Sequence, residues 1–433
     1  FESALAHFQR ALDAREGQPM DSESAAILFS LGQAEAMTLK SDEAVSHWKQ
    51  AFDFYVEAGD IRRAVTVAGV PILGRGGAGM AALIEQALNL IPADSIEAGR
   101  LLSIHGRHLG MNEGDYAGAQ QAFERALAIA ERGYDLRLKF RALTNACNVD
   151  SFHLRHQDSL GKSLSAIELA GVVDSPRDES MAHIIALSGR MQNRNPTRAK
   201  SHGEACQAAA EILRDRERLS TACSAHQAVF QAEGDWEAAR ALNDRALTSW
   251  PYDPRTLGGR ALLECQVGDY DEAEFYLERL LEATHALVPG ELLEHANSGA
   301  NPTANLARVM PLVSHITGVT DRLDIAKAAA ETVLSSPHAV PVWVISARTG
   351  LALMAFLQDD AAAAEQQYSA LESQRGTILA GVAALSGEIC IDRVLGLLSQ
   401  TMSKTDDAVV HFEESLEFCR EAGYRPEMAW TCH

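Results

Sequence analysis

Apolar and small residues recur along this chain at helical spacing, in runs separated by polar or glycine-containing turns. Ala119, Ala122, Phe123, Ala126, Leu127 and Ala130 stand at i, i+3, i+4, i+7, i+8 and i+11, a full stripe on one helix face. Similar stripes run from Ala4 through Phe8 to Leu12, from Ala44 through Trp48 to Ala51, from Ala239 to Ala246, and from Ala273 through Leu277 to Leu280. Two more follow, Ala364–Tyr368–Leu371 and Ala408–Phe412–Leu416. An aspartate precedes most of them: Asp42, Asp115, Asp235, Asp269, Asp359 and Asp406. A side-chain oxygen there accepts from the free N–H groups of the first helical turn. At Asp269 a glutamate three residues on, Glu272, can complete a reciprocal cap, and Gly234 and Gly268 supply the left-handed residue that ends the preceding helix. Asp253-Pro254 is a cap followed by a first-turn proline, which predicts a helix from Pro254 to Val267.

These helices come in pairs. Leu28, Leu31 and Gly32 lie ahead of Ala44, and Leu395 and Gly396 ahead of Ala408, as the first helices of two pairs in which the glycine permits close approach. The phrases Gly234-Asp235-Trp236 and Gly268-Asp269-Tyr270 recur about 34 residues apart, the length of one helix–turn–helix repeat. The aligned alanines Ala4, Ala44, Ala119, Ala239, Ala273, Ala364 and Ala408 recur at intervals of 40, 75, 120, 34, 91 and 44. The larger intervals divide into units of about 40, with degenerate copies expected at Met80–Ile91, Ser159–Ala170, Arg198–Leu213 and Asp324–Leu334. Each pair is expected to bury its face only against its neighbours. Regularity breaks between Ala273 and Ala326, where residues 288–303 carry Pro289, Gly290, Asn297, Gly299, Asn301 and Pro302. That composition predicts an irregular insertion, with a short helix at Glu291–His295. It is either a tolerated insertion or a loop reaching over the groove or toward a neighbouring domain. The domain reading is therefore repeats over 1–287, an insertion over 288–303, and the same array continuing over 304–433.

The signature small-x-x-x-aromatic-x-x-small along the second helix of each unit is carried by Ala4/Phe8/Ala11, Ala44/Trp48/Ala51 and Ala119/Phe123/Ala126, and Pro251 follows the helix of Ala239 and Ala246. This resembles the tetratricopeptide superfamily over nearly the whole chain. The resemblance implies an all-α fold, an α-solenoid wound as a right-handed superhelix of about eleven antiparallel helix pairs. A unit of roughly 40 residues, longer than the tetratricopeptide standard, is similar to the helical-repeat region of MalT-like bacterial regulators. The phrase from Ala408 to Glu427 resembles repeats in large signalling proteins that place a P-loop ATPase before the array, with a LuxR-type DNA-binding domain or a class III nucleotide cyclase. Such a parent would supply covalently linked ATPase and output domains. This chain contains no G-x-x-x-x-G-K-[ST], no cyclase metal motif and no recognisable DNA-reading helix.

The formal net charge is −21, from 59 acidic and 38 basic side chains. Such a surface repels phosphate backbones and anionic lipid, which argues against nucleic-acid and membrane partners. The longest apolar stretches, Thr377–Gly387 and Val340–Ser346, fall short of the ~18 residues that a membrane span needs. The seven cysteines are odd in number, irregularly spaced and free of C-x-x-C, which reads as buried reduced thiols in a cytoplasmic protein. The first residues read as a second helix and the last as a first helix, so both ends look cut from a longer protein.

Candidate chemistry is sparse. The run Gly74 to Gly79 is followed by Met80-Ala81-Ala82, without the lysine and hydroxyl that a phosphate cradle needs, and reads as a loop. His105/His108 and His153/His156 are i, i+3 pairs without further convergent ligands, and read as structural or surface histidines. Asp271-Glu272 and Glu413-Glu414 read as first-turn charges. Cys419, Cys432 and His433 read as an apolar thiol and its neighbours rather than a nucleophile and its base. No catalytic, cofactor or metal residues are assigned, and the chain is read as a non-enzyme. The strongest binding feature is a polar set on one first helix, Arg141, Asn145 and Asn148, continued to His153. First helices line the concave face of such arrays, so this set is the expected groove patch for a protein, a peptide or a small inducer. The function predicted is a binding scaffold, the sensor or interaction region of a signalling or transcriptional regulator; the alternative is a structural scaffold for complex assembly without a ligand switch.

Overall fold

The computed structural model describes residues 2–37, 40–70, 79–287, 302–379 and 388–433. The proposed insertion at 288–303, its helix at Glu291–His295 and most of the Gly74–Gly79 run therefore lie outside the described residues, apart from the edges Pro302, Thr303 and Gly79. Among the described residues the chain forms twenty-two α-helices and a two-stranded ribbon, an all-α repeat fold. Contacts group the chain into two compact units, with the division between Val149 and Asp150.

The first unit begins with α1 (Glu2–Asp13), α2 (Ser22–Met37), α3 (Ser41–Glu57) and α4 (Ile61–Ala68). It continues with α5 (Met80–Leu88), α6 (Ile96–Asn112), α7 (Tyr116–Arg132) and most of α8 (Leu136–Phe152). Even-numbered helices are the first of each pair. The packing logic is small against large: a Cβ on Gly32 would lie 2.5 Å from the Trp48 indole, so glycine in α2 is what admits Trp48 of α3. Trp48 is fully buried and its Nε1 donates to the Phe29 carbonyl at 3.2 Å. Gly106 receives Phe123 in the same way, and Gly110 receives Val149. Two apolar clusters result, one from α2 to α6 around Trp48, Phe52 and Met80, the other from α6 to α8 around Ala126, Ile129 and Leu138.

The second unit holds α9 (His156–Ala170), α10 (Pro176–Gln192), α11 (Pro196–Leu213), α12 (Arg216–Glu233), α13 (Trp236–Ser249), α14 (Pro254–Val267) and α15 (Tyr270–Leu287). After it come α16 (Pro302–Thr317), α17 (Leu323–Ser335), α18 (Pro341–Leu357) and α19 (Ala361–Leu371). The ribbon β1 (Ile378–Leu379) and β2 (Ile389–Cys390) precedes α20 (Ile391–Thr401), α21 (Thr405–Ala422) and α22 (Arg425–Cys432). The helix predicted at Pro254–Val267 has those bounds, and the four degenerate units are helices α5, α9, α11 and α17. Capping follows the expected chemistry at Asp115, Asp235 and Asp253, whose side chains accept from the first-turn N–H groups of Gly118, Ala238 and Arg255. Elsewhere it differs. Helices α3 and α21 begin one residue before Asp42 and Asp406, which sit in the first turn, and α19 is capped by Asp360 while Asp359 takes φ 52°. At Asp269 the backbone N–H is already given to the Glu264 carbonyl at 2.9 Å, closing the end of α14. The Asp269 side chain does accept from the Glu272 N–H at 3.3 Å, so the cap is satisfied without a reciprocal glutamate bond.

The expectation of neighbour-only packing fails in the second unit. First helices do follow one another along the row α10, α12, α14, α16, α18 and α20. The far end of the row then returns to its start. Gln192 on α10 holds the main chain of Ile378 with its amide, accepting from the Ile378 N–H at 3.2 Å and donating to the Ile378 carbonyl. The Tyr424 hydroxyl donates to the Met191 carbonyl at 3.1 Å, and Arg425 Nε to the Glu233 carbonyl at 2.7 Å. Arg194 pairs with Glu421 and lies 4.6 Å above the Phe418 ring. One apolar cluster accordingly joins Ile184, Leu187, Met191 and Val229 to Ile378, Cys390, Phe418 and Tyr424.

A second departure from repeat geometry sits in α16. Pro311 has no N–H to give the Ala307 carbonyl four residues back, and Gly350 of α18 packs against that carbonyl. A Cβ there would stand 1.8 Å from the Ala307 oxygen, and a backbone atom cannot rotate away. Gly350→Ala should therefore destabilise the chain by about 1–3 kcal/mol in chemical denaturation. Gly161→Ala, mid-helix in α9 with nothing within 4 Å, should stabilise it by roughly 0.5–1 kcal/mol. Equal effects at the two positions would contradict this packing.

Candidate functional site

Closure of the second unit leaves a small interior chamber with room for about one water. Its walls come from the inner faces of α14, α16, α20 and α22 together with the approach to β2. The apolar part is Leu262, Leu312 and Ile316; the polar part is Gln266, His315, Glu388, Arg393 and Glu427, with Trp430 across one side.

Arg393 and Glu427 form its rigid centre, both nearly fully buried. Arg393 donates through Nε and Nη2 to the two carboxylate oxygens of Glu427, at 2.8 and 3.0 Å, and the Cys390 N–H donates to the same carboxylate at 2.8 Å. A bidentate pair satisfied by a further backbone donor is the arrangement that tolerates burial. His315 Nε2 lies 3.3 Å from Arg393 Nη1, and its ring is 5.5 Å from Trp430. Burial, reinforced by Arg393, pushes the His315 imidazole down to about 4, so it is neutral and its nitrogen can accept. Glu388 keeps part of its surface accessible yet lies among enough protein that desolvation pushes its carboxyl up to about 7, with Arg308 opposing and Glu427 adding to the rise. Burial lowers the Arg308 guanidinium to about 10, and the charge of Glu388 partly offsets this. The chamber can hold a proton at Glu388 near neutral pH. Its size excludes a peptide or a drug-sized inducer while it stays closed.

The sequence-predicted patch lies on α8. Arg141 and Asn145 are half-buried one turn apart, and Asn148 is buried. Asn145 Nδ2 donates to the Ser103 hydroxyl at 3.0 Å and to its carbonyl at 3.2 Å, so the strip crosses from α8 to α6. His153 falls in the second unit, just past the end of α8. It consequently shares no helix face with His156, which opens α9. His108 is buried and held neutral, its imidazole lowered to about 3 by desolvation. Six cysteines are buried and free as predicted; Cys432 is exposed, because α22 ends there. Asp271 and Glu272 do lie in a first turn, but Glu413 and Glu414 are mid-helix in α21. Among the described residues no helix is long and apolar enough to cross a membrane. The chamber residues went unmarked in the sequence because they come from four helices and one extended segment.

No protein-family model matches the chain, and no curated protein matches it in sequence. Among solved structures it is similar to a Rap protein complexed with competence and sporulation factor, at 10% identity and a TM-score of 0.50, over 93% of this chain and 99% of that one. Aspartyl phosphate phosphatase F from Bacillus subtilis aligns over 94% of this chain and 96% of its own, at 11% identity and a TM-score of 0.45. Yeast Tom70 aligns over 100% and 90%, at 12% and 0.43. The first likeness supports a tetratricopeptide-like helical-repeat fold and nothing further; the two lower scores carry no weight below.

The chamber has a pH signature. The folded chain keeps the Glu388 proton up to about 7, whereas the unfolded chain loses it near the ordinary 4.5. Between those values the folded state binds the extra proton, so this contribution favours folding at low pH and is lost as pH rises through about 7. His315 acts oppositely, since the unfolded chain takes up its proton below 6.5 while the folded chain resists until about 4. Glu388→Gln leaves the histidine contribution in place, so the melting temperature of the variant minus that of the parent should increase from about pH 5 to about pH 8. A difference that stays flat or shrinks would contradict the burial of Glu388.

Proposed function

We propose that the chain is a protein- or peptide-binding scaffold whose recognition surface is the polar strip on the first helices of the first unit. The observation that carries this is the chain's own use of such a helix in the second unit. There Gln192, the last residue of α10, grips both main-chain groups of Ile378 with one side-chain amide. An amide clamp on backbone reads an extended segment without regard to its side chains, and neighbouring groups add specificity. Asn145 is an amide on α8 whose Nδ2 is held by Ser103 of α6, which leaves Oδ1 to accept from a ligand N–H, and Arg141 lies one turn away on the same helix. Asn148 extends the same proposal along α8; His153, past the end of that helix and in the second unit, is not part of this strip. We assign the chain no enzymatic role.

We further infer that this scaffold is the sensor or interaction region of a larger bacterial regulator, carrying linked ATPase and output domains. The phrase from Ala408 to Glu427 and the long repeat unit support this reading. A ligand would then act by favouring one arrangement of the array over another. The second reading, a fixed scaffold without a switch, is favoured by the self-closure of the second unit, which ties its two ends together. The flanking reading frame separates the two: a Walker-type ATPase beside this segment supports the regulator.

Selection of a displayed random peptide library on the full chain tests the binding reading. Enriched peptides should lose about tenfold or more in affinity on Arg141→Ala with Asn145→Ala, consistent with about 1.4 kcal/mol or more, with helicity retained at the temperature of the assay. Enriched peptides that bind the double variant as tightly as the parent would overturn the assignment of this strip.

A further inference from the structure

A second polar cluster lies apart from the chamber, between α19, α20 and α21. The antiparallel pair α20–α21 is drawn together by Gly396, whose absent Cβ would stand 2.5 Å from the Phe412 ring. This brings Asp392 on α20 to face His411 and Glu414 on α21, one ligand atom from each lying within 4.8 Å of the others. Asp392 and His411 are almost wholly buried.

A buried carboxylate facing a buried imidazole ordinarily closes a hydrogen bond of about 2.7–2.9 Å. Here His411 Nδ1 stands 3.6 Å from Asp392 Oδ1 and 3.8 Å from Glu414 Oε2. Asp392 Oδ1 and His411 Nδ1 are both buried without a hydrogen-bond partner. Two orphaned buried atoms that close together are costly unless something sits between them.

The outer atoms of the same groups are all engaged. The Gly376 N–H donates to Asp392 Oδ2 at 2.7 Å, which leaves Oδ1 turned inward. His411 Nε2 meets the Tyr368 hydroxyl at 2.9 Å; with Nε2–H donating there, Nδ1 presents its lone pair to the cluster. Arg375 donates through Nε to Glu414 Oε2 at 3.1 Å and through Nη2 to Oε1, holding that carboxylate in place. Arg375 Nε also lies 3.8 Å from Asp392 Oδ1, so the cluster with a neutral histidine carries one net negative charge. A dication changes that by two units without stranding a bare anion.

We propose that Asp392, His411 and Glu414 form a site for a divalent transition-metal ion of the zinc type. Donors about 2.0–2.2 Å from zinc in a tetrahedron stand about 3.3–3.6 Å apart, close to the two separations above. One imidazole nitrogen with two carboxylate oxygens suits zinc or manganese, whereas magnesium and calcium prefer oxygen alone. Three protein ligands leave a fourth position for water. Asp392 is the second residue of α20, just after β2, so the ion would fasten the pair α20–α21 next to the segment that closes the second unit.

The test is a zinc titration of the chelator-treated full chain against a chromophoric zinc indicator, with cobalt(II) absorption as a second readout of nitrogen-and-oxygen coordination. One equivalent of zinc should bind and raise the melting temperature, and millimolar magnesium should not displace it. Glu414→Gln and His411→Gln should each weaken zinc about tenfold or more, and Tyr368→Phe should weaken it by a smaller factor through the histidine orientation. Cys432→Ser, at the exposed terminus, should leave zinc affinity unchanged. If His411→Gln does not fold, Glu414→Gln decides, because its side chain is only half-buried. Absence of saturable binding, or one-equivalent binding that Glu414→Gln leaves intact while helicity is retained, would overturn the proposal.

Discussion

The second unit depends on the grip of α10 on a segment far along the chain. Gln192 pairs with the Ile378 main chain, and the Tyr424 hydroxyl reaches the Met191 carbonyl. A helical array stabilised only by nearest neighbours can open at any joint at the cost of one interface. A row of first helices whose last member is tied to its first cannot, because separating any two neighbours also strains the closing contacts. The cluster around Met191, Val229, Phe418 and Tyr424 supplies the apolar part of that closure. The Arg393–Glu427 pair, locked to the Cys390 N–H, supplies the buried polar part.

Much of the helical architecture was legible, and the reasons are local. Gly32 facing Trp48 and Gly396 facing Phe412 are short-range pairings visible as small and aromatic residues at fixed offsets. Asp253-Pro254 placed a helix because a cap and a first-turn proline act on their own backbone. The repeat itself was harder to see. Left-handed turns between the first and second helix occur at Gly114, Leu154, Arg194 and Gly234, at equal steps along the chain. Only two of the four are glycine, so the punctuation is regular in the backbone and irregular in the letters. Leu154 and Arg194 each hold a conformation that costs a non-glycine residue about 1–2 kcal/mol, which the packed helices on either side impose.

The closure and both polar clusters were not legible, for one physical reason. Glu427 gains its meaning from Arg393 and the Cys390 N–H, and Asp392 from His411 and Gly376. These partners lie on separate elements, and the closing contacts of Gln192 and Tyr424 form only after the array has curved back, so no period in the sequence marks them. Arg141 and Asn145 were found because they share one helix; Ser103, which anchors Asn145 from α6, was not. For function, the consequence is a division between surfaces. The inner face of the second unit is occupied by its own ribbon and last helix, leaving a chamber about the size of a water. The strip on α6 and α8 in the first unit is the corresponding surface offered outward in this reading.

Hydrogen exchange followed by mass spectrometry on the intact chain addresses the closure most directly. If the second unit is held shut as described, peptides covering β1, β2 and α22 exchange as slowly as those from α10 and α12, in one cooperative opening. If residues 388–392 and 425–432 exchange freely while α10 and α12 stay protected, the ends of the row are not joined and the account of this unit is wrong.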